Sequence, residues 1–580
     1  MYSLTETKRQ LFEILRAQLD NDFSSFLSHY RDLGDFLLPR RPRFTLSDVN
    51  RGDRRNQKIV DNTGTLAMRT LKSGLMSGLT NPARPWFGLT TPDPMMAERG
   101  DAKKWLHRQT SNMLSVFLRS NVYNTLSPVY ADISGFGTGA MYIEPHAERV
   151  IHTYSFPVGS YRIATSDEGY VNVFFREFRY TVRQMVKKFG VRSADGEIDW
   201  TPFSSHVRKM WEDGHREEWI DICHVILPND DHNPKSLYSK DKKFTSCYYE
   251  RGTGLHGGYR MDDRDTYLSE KGYDYFPILV PRWETTGEDM YGTNCPGMEI
   301  LGDVKALQLM QKRKAEAVEK MVRPPMTGPT SLKTAKASIL PGDITFNDES
   351  AGQGGFKPSY QVDPRVQELL LDIQDHQQRI RKGCHEDAIL AITSSDRASM
   401  TATEVEERRE EKLIAFGPVL TQLNQDLFDP LIDITYAIME EQGLIEEAPE
   451  ELQGQELKVE YRSIMHQAQK AVGISGMERY VSFLADISTK TGDLTWMNKV
   501  NKGQFGDVYG DGLSVNPAII NSDEEVAEME AAKAKQQQQM QAAEMAANAA
   551  RAAKDLAGAD MGGDNALTRL AQGGQGQQVQ

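Results

Sequence analysis

Two glycine-containing motifs have the residue types of nucleotide-binding loops, and each lacks a part that the chemistry requires. The first, Gly-Phe-Gly-Thr-Gly at residues 135–139, has no third glycine at the dinucleotide spacing, and it follows a predicted helix and precedes a predicted strand. Phosphate binding needs the opposite order, because the N-terminus of a helix must face the anion. We therefore interpret it as a turn that uses the backbone freedom of glycine. The second, residues 328–334, ends in Lys-Thr but has no glycine directly before Lys333 and no predicted strand in front of it, so ATP binding is not predicted.

Two groups of potential metal ligands are close in the sequence but not in the predicted geometry. His224 belongs to a predicted strand, whereas Asp230, Asp231 and His232 belong to the turn that follows it. Residues 384–387, Cys-His-Glu-Asp, lie at a helix end, where consecutive side chains point in different directions. The sequence offers no nucleophile with a base and an orienting group, so it predicts no catalytic residue, no metal site and no cofactor.

The composition indicates a large globular protein that does not grip nucleic acid. The chain has 580 residues, which favours roughly three to four domains of about 150 residues each. It carries 82 acidic and 68 basic residues, a net charge of −14, whereas a protein that coats DNA needs an excess of cations. Four scattered cysteines form no Cys-x-x-Cys pair, so neither a zinc framework nor a disulfide scaffold is predicted. Neither a signal peptide nor a membrane-spanning stretch is predicted, and we expect a soluble protein made in the cytoplasm.

The spacing of apolar residues predicts an α+β fold that is predominantly helical. Apolar residues recur at three- and four-residue steps in predicted helices over residues 3–37, 62–79 and 102–118. Between about residues 140 and 282 the pattern changes to short strands, predicted at 161–164, 171–180, 219–227 and 276–280. Asp-Glu-Gly at residues 167–169 joins the first two as a hairpin, and Thr181 caps a short helix after them. The strands therefore form a mostly antiparallel sheet.

The second half of the chain is predicted to contain two helices separated by a small insert. The first helix covers residues 298–321 and ends at Pro324-Pro325, and the second begins at Asp363-Pro364. Between them, residues 323–361 are rich in Pro, Gly, Ser and Thr, with one short strand predicted at 343–346. Because the two helices have similar lengths, we expect an antiparallel pair with the insert at its tip.

A polar loop and more helices are predicted to follow. Residues 391–400 are small and polar, and Thr401 or Thr403 then caps a long helix that Gly417-Pro418 must kink or break. Further helices are predicted over 420–439, where Pro430 is expected to bend the helix, over 467–484 and around Trp496. The tail is predicted to be a marginal helix over 523–558 followed by disorder.

A basic segment lies between the first two helices. Residues 40–58 contain seven basic and two acidic residues with little apolar content. Two interpretations are equally open: an arm that contacts phosphate or an acidic neighbour, and a solvated loop.

Four blocks of sequence together resemble the portal proteins of tailed bacteriophages, in particular the head-to-tail connector family of short-tailed phages. The blocks are Leu-Lys-Ser-Gly-Leu-Met-Ser-Gly-Leu-Thr-Asn-Pro at 71–82 with Pro-Trp-Phe at 85–87; Phe-Gly-Thr-Gly-Ala-Met-Tyr-Ile-Glu at 136–144; Pro-Val-Gly-Ser-Tyr at 157–161 with Gly169 and Phe-Arg-Glu at 175–177; and Met-Thr-Ala-Thr-Glu-Val at 400–405 with Glu407-Arg408. Their order agrees over about residues 20–480.

The resemblance implies a portal-type subunit that assembles into a ring, usually of twelve copies, around a channel for double-stranded DNA at one capsid vertex. It names the parts of the chain as N-terminal helices and an α+β wing (1–295), a first stem helix (296–322), a clip (323–362), a second stem helix (363–387), a tunnel loop (388–401), a kinked wing helix (402–427) and a helical crown (428–510). The Ala- and Gln-rich tail (511–580) is outside the resemblance, and either a marginal helix or a helical barrel is expected there.

The resemblance also implies partners and site residues. The terminase large subunit, the tail adaptor and the tail proteins are expected to dock on the clip through Lys333, Lys336, Asp343 and Lys357. The major capsid and scaffolding proteins are further expected partners, and no membrane is involved. The tunnel loop, with Thr393, Ser394, Ser395, Asp396 and Arg397, is expected to face DNA that passes without sequence specificity. The subunit is expected in the virion and not as an enzyme.

Charge gives this channel a physical rationale. Twelve chains of −14 each carry −168, and a wall of net negative charge repels the duplex from all sides instead of holding it. A ring of Arg397 side chains would then make weak contacts with the passing DNA. The alternative is a structural Arg397 that pairs with Asp396 or Glu404.

Two other classes of protein remain as alternatives. An enzyme of DNA processing would need a phosphate loop or paired carboxylates, which the sequence does not offer. Another ring-forming adaptor or capsid protein would lack the helix, clip, helix unit.

Overall fold

A computed structural model of the chain describes residues 8–48, 52–97, 100–191, 196–236, 238–251, 267–324, 326–327, 357–358, 366–393, 416–450, 452–493, 495, 499–512 and 523–558. The chain divides into two units, Met1–Pro92 with Trp105–Glu478, and Asp93–Lys104 with Arg479–Gln580. None of the helices described is both long enough and apolar enough to cross a membrane.

Helices dominate the described chain, as the sequence predicts. They are α1 (Lys8–Phe36), α2 (Thr63–Leu79), α3 (Pro94–Ala97), α4 (Gly100–Arg119), α5 (Val122–Phe136), α6 (Val182–Phe189), α7 (Ser205–Glu212), α8 (Pro296–Val322), α9 (Val366–Gly383), α10 (Glu386–Thr393), α11 (Gly417–Leu423), α12 (Asp429–Glu441), α13 (Ile464–Thr491), α14 (Lys502–Gly512) and α15 (Asp523–Gly558). A 3₁₀ turn covers Ser239–Asp241, and a π-helical turn, Asn424–Phe428, joins α11 to α12.

The strands form small antiparallel sheets. They are β1 (Phe87–Thr90), β2 (Met141–His146), β3 (Val150–Ser155), β4 (Tyr161–Thr165), β5 (Val171–Thr181), β6 (Trp219–Pro228), β7 (Phe244–Glu250), β8 (Ser269–Tyr273), β9 (Ile278–Leu279), β10 (Met326–Thr327), β11 (Lys357–Pro358) and β12 (Lys458–Tyr461). The main sheet has the order β4-β5-β6-β7-β8, and a smaller one has the order β3-β2-β9. The predicted α+β class and the antiparallel sheet are therefore confirmed.

Local sequence signals explain the hairpin and the helix that follows it. Gly169 has a φ of 82°, which suits the turn between β4 and β5, where glycine avoids the steric cost of a side chain. The Thr181 side chain accepts a hydrogen bond from the Gln184 N–H, and the Gln184 side chain accepts one from the Thr181 N–H. This complete capping box starts α6 where predicted.

The two faces of the main sheet are buried differently. One face packs against α1, where Phe12 and Leu19 contact Phe175, Cys223 and other buried residues of β5–β7. The opposite face carries Phe174, which joins the main core, whose other buried residues include Leu33, Met68, Val304, Ile373 and Ile380 from α1, α2, α8 and α9. Each such side chain stabilises the fold by about 1.5–3 kcal/mol relative to an exposed position. The first helix and the helix pair therefore share one core with the sheet.

Several boundaries differ from the predictions. The strand expected at 276–280 is reduced to β9, and α9 ends at Gly383 rather than near residue 387. The pairing of β1 with β12 was not predicted, because Phe87 and Tyr461 are far apart in sequence and only the folded chain brings them together. The strand expected at 343–346, the first residues of the helix expected over 3–37 and the end of the tail lie outside the described residues.

The second unit contains the helix predicted for the tail. α15 is 36 residues long, and the side chains described along it are exposed, including Met540 and Met545. In α14, Phe505 and Tyr509 stack with their ring centroids 5.6 Å apart.

Candidate functional site

The antiparallel pair of α8 and α9 is the centre of the candidate site. Ile300 near the start of α8 lies against Gly383 at the end of α9, where an added Cβ would be 2.5 Å from Ile300 Cγ2. Further along, His376 Nδ1 lies 2.8 Å from Asp303 Oδ1. The antiparallel helix pair that the sequence predicts is therefore present, and these residues form contacts within it.

Asp61 joins this pair to α2. Its carboxylate accepts hydrogen bonds from the Thr63 N–H at 2.8 Å and from the side chains of Gln311 and Gln377, both at 2.9 Å. The Gln308 side chain also accepts a hydrogen bond from the Asp61 N–H and donates one to the Asp61 carbonyl oxygen. Burial alone would raise the pKa of Asp61, but these hydrogen bonds outweigh it and hold the pKa below its ordinary value. One carboxylate thus fixes three helices to one another.

Glycines on α2 mark the places where other helices cross it. At Gly74, an added Cβ would lie closer than 3.0 Å to Ile389 Cγ2. At Gly78 it would lie 2.9 Å from Met465 Cε, and at Gly64 it would lie 3.0 Å from Val304 Cγ2. The block at 71–82 that carries the portal resemblance is therefore a packing surface for α10 and α13.

The motif at residues 135–139 packs against the start of α8. Gly137 ends α5 with a φ of 79°, and its carbonyl accepts a hydrogen bond from the Trp283 N–H at 2.8 Å. An added Cβ at Gly292 would lie closer than 3.0 Å to Gly137 O, and one at Gly297 would lie 2.5 Å from Gly135 O. Backbone-to-backbone packing therefore explains these glycines, and the interpretation as a turn is confirmed.

The segment that leads to the predicted tunnel loop begins with a sharp break. After α9 the chain turns at His385, whose φ of 52° is unusual for a residue with a side chain. The His385 ring lies 4.7 Å from that of Phe416, and Cys384 is buried with its thiol 3.7 Å from Met68 Sδ.

The prediction of a loop over 388–401 is wrong for residues 388–393. Residues 386–393 form α10, because Ala388 and Ile389 bury apolar surface that a polar loop would not. Thr393 is thus the last residue of a helix. Ser394, Ser395, Asp396 and Arg397 lie outside the described residues.

Little of the predicted clip falls within the described chain. Lys357 belongs to β11 and pairs with Thr327 of β10, which closes the base of the insert. Lys333, Lys336 and Asp343 lie outside the described residues. The docking role of these four residues remains a prediction.

A buried ion pair anchors the π-helical turn. The Arg282 guanidinium bonds both carboxylate oxygens of Asp426 at 2.9 and 3.1 Å, and it donates to Gly169 O at 2.8 Å. Both side chains of the pair are nearly inaccessible, at 3% and 4% exposure. In the same turn, Asn424 Oδ1 lies 3.0 Å from His466 Nε2 at the start of α13. The π-turn is therefore linked to the β4–β5 hairpin through Arg282, which lies between β9 and α8, and to α13 through His466.

The Pro residues around this turn lie where helical segments begin. Pro418 is in the first turn of α11, and Pro430 is in the first turn of α12, directly after the π-turn. The predicted disturbance at both prolines agrees with these boundaries. The part of the kinked helix before residue 416 lies outside the described residues.

The basic segment 40–58 pairs with carboxylates of the same chain. Arg41 binds buried Asp132 through two guanidinium nitrogens, Arg55 binds Asp48, and Lys58 Nζ lies 2.7 Å from Asp35. Burial raises the pKa of Asp132 to about 6 even with Arg41 beside it. Three of the seven basic residues of the segment are thus held by carboxylates of their own chain. Contact of the segment with phosphate or with an acidic neighbour remains a prediction.

The potential metal ligands do not converge. His224 lies inside the main sheet, 3.0 Å from Ser246 Oγ, and stacks on Tyr248 at 3.7 Å between ring centroids. Burial, with a smaller contribution from Arg176 and Lys188, lowers its pKa well below the ordinary value. Among the described residues no group of three or more His, Cys, Asp or Glu side chains could hold a metal ion.

Sequence reasoning missed Asp61, Arg282 and Asp426. A signal existed for Asp61, because Asp-Asn-Thr directly before a predicted helix is a capping pattern. Asp426 also stands out as a carboxylate between Leu423 and Leu427 in an apolar helix. Its partner could not be identified, because Arg282 is separated from it by 144 residues.

Comparisons with known proteins identify relatives along nearly the whole chain. The family model for the bacteriophage head to tail connecting protein matches residues 9–520. The portal protein of Salmonella phage epsilon15 is 43% identical over 567 residues, covering 98% of both chains. A probable portal protein of Bordetella phage BPP-1 is 36% identical over 563 residues, covering 97% of this chain and 98% of that protein. A chain from the virion of a native gene transfer agent particle aligns over 83% of this chain and 98% of its own. Its TM-score of 0.30 and 11% sequence identity are too low to support a conclusion about this chain.

Proposed function

This chain belongs to the bacteriophage head-to-tail connecting protein family, and we propose from this membership that it is the portal subunit of a short-tailed phage. The observation that carries the proposal is the 43% identity to a portal protein over 98% of both chains. In this role the subunit is a structural component of the virion at one capsid vertex. DNA enters through its channel during packaging and leaves through it during ejection, and the tail attaches to it.

Exposed apolar side chains on the helix pair support assembly into a ring. Leu309, Val318, Met321 and Val322 of α8 and Leu371 of α9 are between 42% and 73% exposed in the single chain. Such a surface is costly in water and is typical of a subunit interface. Head-to-tail contacts between copies would cover it and close a ring. We propose twelve copies, as the resemblance implies.

The proposed channel and docking elements follow from the order of the chain. The residues after α10, with Arg397 among them, would line the channel. The insert between α8 and α9, with Lys333, Lys336, Asp343 and Lys357, would meet the terminase large subunit and later the tail proteins. Capsid and scaffolding proteins would surround the ring.

Electron microscopy of the purified protein tests the proposal directly. We expect rings with an open central channel in negative stain. A monomer, or a closed disc without a channel, would contradict a portal. An ATPase assay on the same preparation should be silent, because in the proposed role the docked terminase supplies the energy; turnover of ATP would instead support an enzyme.

The DNA-facing role of Arg397 needs its own test. We expect phage carrying Arg397→Glu to package less DNA, because a ring of added negative charge repels the duplex more strongly. Arg208→Glu on α7, where the arginine is 57% exposed and pairs only with Glu212 among the described residues, is the matched control. Normal packaging by the Arg397 variant, with rings of normal appearance, would remove this residue from the mechanism.

A further inference from the structure

A concavity of about 1260 Å³ lies between the main sheet and the β2–β3 hairpin, and the proposed function does not use it. Its floor includes Arg176, His224 and Tyr248, which are direct cross-strand neighbours on β5, β6 and β7. Tyr154 and Trp219 also line it, and each is about half exposed, at 50% and 51%. The volume exceeds the roughly 300–1,000 Å³ of small-molecule pockets, which favours a polymer segment as the occupant.

Two cations in the concavity have no carboxylate partner among the described residues. The Arg176 guanidinium lies between the rings of Phe156 and Phe178, at 4.7 and 3.9 Å from their centroids. Its Nε is buried without a hydrogen-bond acceptor. Lys188 Nζ lies 5.6 Å from the centroid of the Tyr248 ring and 3.3 Å from the Tyr180 hydroxyl.

Two other arginines that line the same concavity are paired with carboxylates. Arg162 pairs with Asp20 at 2.8 Å, and Arg251 pairs with Glu177 at 3.0 Å. The aromatic end, around Arg176 and Lys188, therefore carries positive charge that no carboxylate of the described residues balances. A carboxylate placed there would gain charge-assisted hydrogen bonds.

The same residues disfavour nucleic acid as the occupant. Three rings beside the cations are not free for base stacking, because Tyr248 is covered by His224 and the rings of Phe156 and Phe178 contact Arg176. The carboxylates of Asp53 and Glu144 also line the concavity and would repel a strand that carries a phosphate at every nucleotide. A peptide with few, spaced carboxylates can place them on the cations and its apolar residues beside Asp53 and Glu144.

We propose that this concavity binds an acidic peptide segment of a partner protein, with its carboxylates on Arg176 and Lys188 and its apolar residues against Tyr154 and Trp219. The proposal does not depend on ring formation.

Fluorescence anisotropy with the purified full chain tests the proposal. The probe is a labelled six-residue peptide of alternating leucine and glutamate, and the control probe has glutamine in place of glutamate. Arg176→Gln and Lys188→Gln should each weaken binding of the acidic probe by about tenfold or more, since each removes a charge-assisted contact. Arg183→Gln, on the same helix as Lys188, should leave it unchanged, because Arg183 is 63% exposed and pairs with Glu217.

Several outcomes would overturn the proposal. Equal binding of the glutamine probe would show that charge is not recognised, and unchanged affinity in both variants would place the site elsewhere. Tighter binding of oligothymidine that depends on Lys188 would assign the site to nucleic acid. If Arg176→Gln fails to fold, hydrogen exchange on the wild-type chain decides: the acidic probe must slow exchange in β5 and α6, and no change there would refute the site.

Discussion

Gly74→Ala is the sharpest test of how the helices beside the proposed channel are packed. Gly74 lies inside α2, where alanine by itself would stabilise the helix by about 1 kcal/mol. The added Cβ, however, would lie closer than 3.0 Å to Ile389 Cγ2, a distance that real Cβ atoms essentially never show. Overpacking of this kind costs about 1–3 kcal/mol. Subtracting the helix gain leaves an expected net loss of up to about 2 kcal/mol in the free energy of local opening.

Hydrogen–deuterium exchange of the amides in α2 and α10 measures this loss, because it reports opening of individual segments rather than of the whole chain. Gly302→Ala is the matched control: Gly302 also lies inside a helix, α8, and no atom lies within 4 Å of its added Cβ. That variant should slow exchange in α8, corresponding to a gain of about 0.5–1 kcal/mol.

A double variant identifies the contact responsible. Ile389→Ala should destabilise α10 by about 2–5 kcal/mol, since it empties a buried position. Adding Gly74→Ala to that variant should cost nothing or recover stability, because the clash is gone. The packing argument is wrong if Gly74→Ala slows exchange in α2, as Gly302→Ala is expected to do in α8. It is also wrong if Gly74→Ala lowers the free energy of local opening equally with and without the Ile389 side chain.

Three further predictions concern buried charges. Asp426→Asn should destabilise the π-turn by about 3–5 kcal/mol, seen as faster exchange over residues 424–428, because it leaves Arg282 buried without a counter-charge. Replacing both members of the pair by apolar side chains, Arg282→Met together with Asp426→Leu, should cost less than either single change. Asp61 has a lowered folded pKa, so its contribution to stability is present above the unfolded pKa of about 3.9 and is lost as the pH falls through the folded value. The melting temperatures of wild type and Asp61→Asn should accordingly differ at pH 7 and converge below about pH 4, and a constant difference would contradict the assignment. Arg41→Gln should destabilise more at pH 8 than at pH 5, because the folded pKa of Asp132, already raised to about 6 and raised further without Arg41, lets the buried carboxyl take up a proton at the lower pH. Thermal unfolding at the two pH values checks this, and an equal loss at both would refute it.

The acidic composition is consistent with the proposed conduit for a physical reason. A net charge of −14 argues against a protein that coats DNA through many phosphate contacts. It permits a channel in which repulsion keeps the duplex mobile. In the basic segment 40–58, Arg41, Arg55 and Lys58 are paired with carboxylates of their own chain, which lowers the positive charge that the segment presents.

Local elements and family membership could be predicted from the amino-acid sequence alone. Periodicity located α2, α4 and α8, and the Thr181 capping box and the Gly169 turn were readable because their hydrogen bonds involve residues a few positions apart. The four motif blocks were sufficient for the portal resemblance. Their chemistry was less clear from the sequence, because glycine in a motif can serve either a ligand or a packing contact.

The folded chain was needed to show which of those roles applies and where distant charges meet. Gly74 proved to be a packing position only once Ile389, 315 residues later, lay against it. The same holds for the Arg282–Asp426 pair, the three-helix junction at Asp61 and the pairing of β1 with β12. These contacts depend on how the whole core closes, and no local propensity encodes a partner hundreds of residues away.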